Sequence, residues 1–407
     1  MRKYQIPDGY VACGYQLKIY PTDRQKAQFF KSFGSVRYVF NQYKACFDER
    51  YRNNQDLAFP NESDLKILLP TLKQEHAWLK DVDSTALQFT IETYSKAKWD
   101  QIKHKKGNPH FKSRKYYKQS YTSKNINNNI RFINNYSIKL PKLKTTVKTS
   151  NSSAFHQIKI LRVTISYRED LDRFWLTVNG IKPKPQPFEK TGKAVGIDLG
   201  LSSEWLVTSD NYRLSVPKTK ELIKRKERLQ AITDRRKNNT IKRVLLHNNQ
   251  YPDSKIDEYS ERGWQKARKT KSKLELKIHN IRMDTIHKEV RKLVQNYDVI
   301  VIEDLKVSNL LKNHKLAKVI SNASWYTFRQ TLEYYCDWYD KQLIVVPPQY
   351  TSRKCSNCGR IPKRFKHIKT NEWLAVRNWT CPYCHDRHDR DVNAAVNILN
   401  KGLAALS

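Results

Sequence analysis

Four cysteines near the C-terminus form the sharpest chemical pattern in the chain. Cys355-Ser-Asn-Cys358 is followed, 22 residues later, by Cys381-Pro-Tyr-Cys384. Two C-x-x-C knuckles at that separation match a tetrahedral four-thiolate Zn²⁺ site, because each short loop lets two sulfurs reach one ion. Such a site is closed, so its expected role is structural, with one zinc per chain. Cys13, Cys46 and Cys336 lie away from the knuckles and are expected as small core residues. Seven cysteines clustered in this way suit reduced thiols better than a disulfide framework.

A second pattern is made of acids. Asp198 follows the apolar run Ala194-Val195-Gly196-Ile197, and Glu303 follows Val299-Ile300-Val301-Ile302. Asp391 opens the last helical segment, just after His388-Asp389-Arg390. A carboxylate ending an apolar strand is costly unless it is solvated, paired or bound to a cation. Three of them at one sheet end would offer hard oxygen ligands to Mg²⁺ or Mn²⁺. Two such ions clamp the attacking and leaving oxygens of a phosphodiester and lower the pKa of bound water. The plainer alternative is three acids that cap helices or pair with the many Lys and Arg.

Charge indicates the partner. The chain has 407 residues, and 77 Lys+Arg against 39 Asp+Glu leave +38, a charge that a polyanion such as nucleic acid neutralises. That excludes a generic metabolic enzyme as the default, and 39% hydrophobic residues exclude a disordered basic tail. Residues 101–148 hold thirteen Lys/Arg and no acid, interleaved with Phe111, Tyr116, Tyr117, Tyr121, Phe132 and Tyr136. Cations for phosphates beside aromatic faces for unpaired bases suit single-stranded or structured RNA, and a solvated basic surface is the alternative. Lys112, Arg114, Lys115, Tyr116, Tyr121 and Lys124 are the expected contacts within it. No run approaches about 18 apolar residues, so no membrane span is expected. Met1-Arg2-Lys3-Tyr4 begins no apolar signal-like segment, and a cytoplasmic, nucleoid-associated setting is expected.

The elements that must position these residues can be read from periodicity. Residues 10–20 read as a strand stopped by Pro21, with Thr22 as N-cap of a helix carrying Phe29, Phe33, Val36 and Phe40. Helices follow around 63–79 and 84–103, and residues 111–181 read as an antiparallel β unit that the first strand joins. Hairpin turns are expected at Asn134-Asn135 and at Arg168-Glu169-Asp170. Lys182-Pro-Lys-Pro-Gln-Pro187 reads as a stiff linker and domain boundary. Beyond it come strands at 194–200, 204–208 and 212–216, then basic helices at 218–247 and 264–295. A buried strand at 299–302, a helix at 324–341, a strand at 343–346 and the cysteine insert at 350–386 precede the final helix.

Gly196-Ile-Asp-Leu-Gly200, Val301-Ile-Glu-Asp-Leu305, the double knuckle and His388-Asp-Arg-Asp-Val-Asn-Ala-Ala395 resemble the split RuvC motifs and zinc ribbon of the TnpB family. Those proteins are transposon-encoded, RNA-guided DNA nucleases akin to type V CRISPR effectors. Tyr20-Pro21, Arg37-Tyr-Val-Phe-Asn41 and Gly107-Asn-Pro-His-Phe-Lys112 extend the resemblance to the N-terminal half. The resemblance implies that Asp198, Glu303 and Asp391, rather than Asp389, are the catalytic acids. It implies an RNase H-like nuclease domain (191–349 and 387–407) split by a zinc ribbon (350–386). Ahead of it would lie a β-barrel wedge domain (1–20 and 111–190) with an inserted helical recognition domain (21–110). It further implies a guide RNA from the transposon end and cutting of double-stranded target DNA beside a short motif that Gln88 would contact. The protein in the RNA complex is expected to be a monomer. Pairing then reads sequence while protein reads geometry, as in other RNA-guided nucleases. A catalytically silent RNA-guided regulator and a transposase working without guide RNA are the alternatives.

Overall fold

The computed structural model describes residues 5–54, 58–115, 118–200, 204–215, 219–256, 262–305, 324–366, 368 and 370–406. Two compact units divide between Lys184 and Pro185, inside the proline-rich run. Tyr116 lies outside the described residues.

The first unit is a seven-stranded antiparallel sheet with helices between its first two strands. The strands are β1 (Tyr10–Tyr20), β2 (Lys118–Lys124), β3 (Arg131–Asn134), β4 (Ser137–Lys139), β5 (Val147–Thr149), β6 (Lys159–Arg168) and β7 (Arg173–Pro183), in the order β2-β6-β7-β1-β5-β4-β3. The family resemblance implies a barrel, and among the described residues β2 and β3 are edges of an open sheet. β1 pairs with β7 from Tyr10 to Ile19 but meets β5 only at Ile19 and Tyr20. The β2 end is covered instead by helices α1 (Asp23–Asn53) and α3 (Ser84–Ile102), with α2 (Glu62–Glu75) packed on α3.

Helix α1 starts where a capping box forms: Gln25 N–H donates to the Thr22 hydroxyl, and Thr22 N–H donates to Gln25 Oε1. Its buried stripe of Phe29, Phe33, Val36, Phe40 and Tyr43 has helical spacing, so one face turns inward. The α2 helix ends at Glu75, short of the expected 79, and Ala77–Asp81 continues as a 3₁₀ turn. Cys13 is buried as expected, but Cys46 is exposed: it sits on the solvent side of α1, off the buried stripe.

The second unit has a mixed five-stranded sheet. Its strands are β8 (Ala194–Leu199), β9 (Glu204–Thr208), β10 (Arg213–Ser215), β11 (Val299–Glu303) and β12 (Gln342–Val346), in the order β10-β9-β8-β11-β12. β8, β11 and β12 run parallel, and β9 and β10 complete an antiparallel meander. Helices α4 (Lys220–Gln250) and α5 (Arg262–Asn296) form a long basic pair, followed by α6 (Trp325–Trp338). The cysteine region holds α7 (Lys363–Lys366), α8 (Thr370–Ala375), β13 (Asn378–Thr380) and β14 (Arg387–Asp389), and α9 (Arg390–Ala404) follows at once.

Strand alternation decides which helix covers which face. Val195, Ile197, Ile300 and Ile302 point into a core with Ile286, Val290 and Leu293 of α5 and Phe328 and Leu332 of α6. Val301 belongs to the opposite face, where it packs with Val346 and Ile398. Gly196, Asp198 and Glu303 share that second parity, so both acids turn toward the face covered by α9.

Candidate nuclease centre and cysteine centre

Parallel pairing brings the first two acids together. Ile197 lies opposite Ile302, so Asp198 and Glu303 end adjacent strands side by side. The third arrives because α9 sits unusually close to the sheet. A Cβ on Gly196 would lie 2.1 Å from the Ala395 carbonyl oxygen and 2.6 Å from Leu399 N, and one on Gly402 would lie 2.5 Å from Val301 Cγ1. Only glycine permits that approach at these two crossings. Asp391 is one helical turn before Ala395, and its helix starts where the strands end. Asp389 caps that helix, its Oδ1 accepting from the N–H groups of Asp391 and Val392 at 3.0 Å each. Its other oxygen pairs with Arg213 at 3.1 Å. Asp389 is thus engaged by the start of α9 and by Arg213.

Asp198 feels both of the other acids. Burial, then the neighbouring carboxylates of Glu303 and Asp391, push Asp198 up to about 8, with Arg390 pulling the other way. Burial also raises Glu303, opposed by a hydrogen bond from the Thr351 hydroxyl and by Lys401. Asp391 is 9% exposed and is held by two guanidiniums: Arg390 Nε donates to Oδ1 at 2.8 Å and Arg377 Nη1 to Oδ2 at 3.1 Å. Buried carboxylates made of hard oxygens, one of them raised by its two neighbours, fit a divalent cation such as Mg²⁺. The fit requires competition with Arg377 and Arg390 for Asp391. Among the described residues the carboxylate oxygens do not close to the 4.8 Å that the four thiols reach.

Those four thiols are Cys355, Cys358, Cys381 and Cys384, all within 4.8 Å of one another. Cys355 Sγ lies 3.6 Å from Cys384 Sγ, and Cys358 Sγ lies 3.6 Å from Cys381 Sγ. Sulfurs about 2.3 Å from one tetrahedral zinc must be spaced about 3.8 Å apart, so the set fits that ion. The two knuckles are built alike. Gly359 N–H donates to the Cys355 carbonyl and His385 N–H to the Cys381 carbonyl, each at 3.0 Å, and both residues adopt a left-handed backbone, with φ of 75° and 61°. Burial pushes the Cys355 thiol up to about 12, a cost that a cation would relieve. His388, 6% exposed, places Nε2 3.0 Å from Cys355 Sγ and extends the centre toward α9.

The residues expected to touch nucleic acid fare unevenly. Tyr121 is 7% exposed and packs its ring between Phe29 and Phe33, at 6.3 and 5.6 Å. It is a core residue and offers no face to a base, because the inward side of β2 meets α1. The Lys124 ammonium pairs with Glu92, itself 2% exposed and shared with Lys66, so it neutralises a buried carboxylate. Lys112 exchanges two backbone hydrogen bonds with the Asn41 side chain, at 3.0 and 2.8 Å. The residue as a whole is exposed, yet its ammonium stands 4.0 Å over the Phe40 ring and desolvation lowers it to about 8. Arg114 and Lys115 are exposed, and Gln88 is half-buried on α3.

Sequence reasoning passed over Thr351, Arg377, Asn393 and Asn397. The two asparagines carried a signal, four residues apart on an otherwise apolar helix face beside Asp391.

A mixed sheet with acids at the carboxyl ends of its parallel strands, joined to a tetrathiol knuckle able to hold a metal ion, defines an α/β protein. Family models agree along the chain. "Helix-turn-helix domain" matches residues 12–56, "Probable transposase" 177–314 and "Cas12f1-like, TNB domain" 325–398. Within the first of these, residues 12–53 form a strand and one long helix. A Streptomyces pristinaespiralis protein described as "Putative RNA-guided DNA endonuclease" is 31% identical, over 96% of this chain and 89% of its own. "Putative RNA-guided DNA endonuclease InsQ" of Escherichia coli (strain K12) is 25% identical over 97% and 93%. A mimivirus "TnpB-like protein L79" is 28% identical over 59% of this chain and 43% of its own. The chain belongs to the TnpB family. Its fold matches the protein chain in "Cryo-EM structure of the Cas12f1-sgRNA-target DNA complex", with TM-score 0.54, 13% identity, and 97% and 99% of the two chains covered. Among the described residues, no helix is long and apolar enough to cross a membrane.

Proposed function

We propose that this chain is a transposon-encoded, RNA-guided DNA endonuclease that cuts double-stranded DNA beside a short motif. Asp198, Glu303 and Asp391 hold its divalent ions, two Mg²⁺ or Mn²⁺. What supports the reading is the placement of these acids: two on neighbouring strand ends, and one on a helix that two glycines admit to the sheet. Bound ions at such a site neutralise phosphate charge and lower the pKa of water. The chain's own part is to fix the acids, and the guanidiniums of Arg377 and Arg390 hold Asp391 in reserve.

Residues 191–349 and 387–407 form the nuclease domain, 350–386 the zinc ribbon, 1–20 with 111–190 the wedge, and 21–110 the recognition helices. The net charge of +38 and the exposed Arg114 and Lys115 support a guide RNA and target DNA as partners, bound by a single copy of the chain in the cell interior. The test is to purify the protein with its co-expressed RNA, sequence that RNA, and assay cutting of a matching target with Mg²⁺. Asp198→Ala, Glu303→Ala and Asp391→Ala should each slow cutting by at least about 10²-fold while RNA and target binding persist. Near-normal cutting by one variant removes that acid from the set. Strand-transfer products formed without RNA would replace the reading by a transposase.

A further inference from the structure

We propose that Thr351 is a positioning residue for Glu303, and that α9 holds Thr351 in turn. The inference rests on the acid-site reading above and adds a residue and a route to it.

Glu303 borders a cleft of about 360 Å³ whose far wall includes Tyr326 and Arg329. Arg329 is committed elsewhere, to Asp304 at 2.6 Å and Glu333 at 3.0 Å. Lys401 acts on Glu303 only through space, because its ammonium donates to the carbonyls of Pro347 and Gln349, at 3.2 and 2.5 Å. Among the described residues, the hydroxyl of Thr351 is the one hydrogen-bond donor to the Glu303 carboxylate. It engages Oε1 and leaves Oε2 for a ligand. A glutamate has three side-chain torsions, so a buried donor that fixes one oxygen and favours the charged form prepares the carboxylate for a cation.

Thr351 is itself held firmly. It is 5% exposed, and its carbonyl accepts from Asn397 Nδ2 at 2.8 Å. Asn397 also donates to the Lys354 carbonyl at 2.7 Å. Asn393 donates to the carbonyls of Lys354 and Ser352, at 2.8 and 3.2 Å, and accepts from Ser356 N–H at 2.8 Å. Two buried asparagines, 2% and 5% exposed, therefore spend their amides on residues 351–356, the run that enters the first knuckle at Cys355. Both lie on α9, the helix that carries Asp391 in its first turn. The hydroxyl also has a second acceptor, the Pro348 carbonyl at 3.2 Å. Its single proton goes to the carboxylate when Glu303 is charged.

The experiment compares wild type, Thr351→Val and Thr351→Ser as complexes with their RNA, and Asp198→Ala serves as the inactive reference. Cleavage is followed across a Mg²⁺ titration, Mn²⁺ affinity is measured by calorimetry, and Tm and RNA retention are recorded. Thr351→Val should raise the Mg²⁺ needed for half-maximal cutting, and the Mn²⁺ Kd, by about 10-fold or more, with Tm and RNA retention unchanged. Thr351→Ser, which restores the hydroxyl, should return both values toward wild type. Equal Mg²⁺ and Mn²⁺ dependence in wild type and Thr351→Val overturns the proposal. So does a serine variant no better than the valine one, or a loss that tracks a fallen Tm. If wild type fails to cut, the nuclease reading falls, while the Mn²⁺ comparison still decides the role of Thr351.

Discussion

Replacing Gly196 by alanine tests how the third acid reaches the site. The added methyl would meet the Ala395 carbonyl oxygen at 2.1 Å, Leu399 N at 2.6 Å and Leu399 Cβ at 2.8 Å. Two of these are backbone atoms of α9, so no side chain can swing aside. Moving from 2.1 Å to the 3.4 Å at which ordinary contact begins asks for about 1.3 Å, and the whole first half of the helix must supply it. Overpacking of this kind costs about 1–3 kcal/mol in stability. The kinetic effect should be of similar size, because about 1 Å of misplacement costs about 10²-fold in rate, or about 2.7 kcal/mol. The assay pairs a thermal melt with a single-turnover cleavage rate, and Gly402→Ala is the comparator. A methyl there meets the Val301 side chain at 2.5 and 2.6 Å, a clash of similar severity but eleven residues from Asp391. Gly402→Ala should therefore lose stability without the same loss of rate. Equal rate losses in the two variants, or a Gly196→Ala protein with wild-type rate and Tm, would refute the argument.

Two further outcomes concern the metal centres. Elemental analysis should find about one zinc per chain, and Cys381→Ser with Cys384→Ser should remove it. Binding free energies of structural zinc run to about 10–16 kcal/mol, so the segment 350–386 should then become open to protease; a purified protein without zinc counts against the site. The second outcome is a pH effect in chelator-treated protein. The folded pKa of Asp198, about 8, lies above its ordinary value of 3.8, so between these limits the folded chain holds a proton that the unfolded chain has released. Stability must fall as pH rises through that window. Asp198→Asn abolishes the titration and should raise Tm over wild type by a margin that widens from pH 5 to pH 8 and narrows when Mg²⁺ is added. A margin independent of pH would place the raised pKa elsewhere.

How much of this was legible in the chain differs by kind of signal. Asp198 and Glu303 stand out because apolar strands make a terminal carboxylate conspicuous, and strand parity alone puts both on one face. The knuckles stand out because ligand spacing is local. The surroundings of Tyr121 and Lys124 are not legible, because composition counts a cation or an aromatic ring without knowing its direction. One turns to Phe29 and Phe33, the other to Glu92, thirty-two residues earlier in the chain. The open sheet likewise depends on β2 and β3 not pairing with each other among the described residues, a long-range relation that no periodicity records. Thr351 was invisible for the same reason, because its meaning lies in two partners from distant elements, Glu303 and Asn397.

That arrangement also explains why a cysteine insert can sit between β12 and α9 without spoiling the acids. The helix tolerates little displacement at Gly196, so an insertion at this point must return the chain close to where it left. The sulfurs of Cys355 and Cys384 meet at 3.6 Å, and the hydrogen bond from Ser356 N–H to Asn393 fastens the entering segment to the helix after the exit. Closing such a loop costs entropy that grows only as the logarithm of its length, so residues can be added between the knuckles cheaply. Length and charge there are thus free to vary with what the basic surface of the insert touches, while the entry and exit, which carry Thr351 and Asp391, are not.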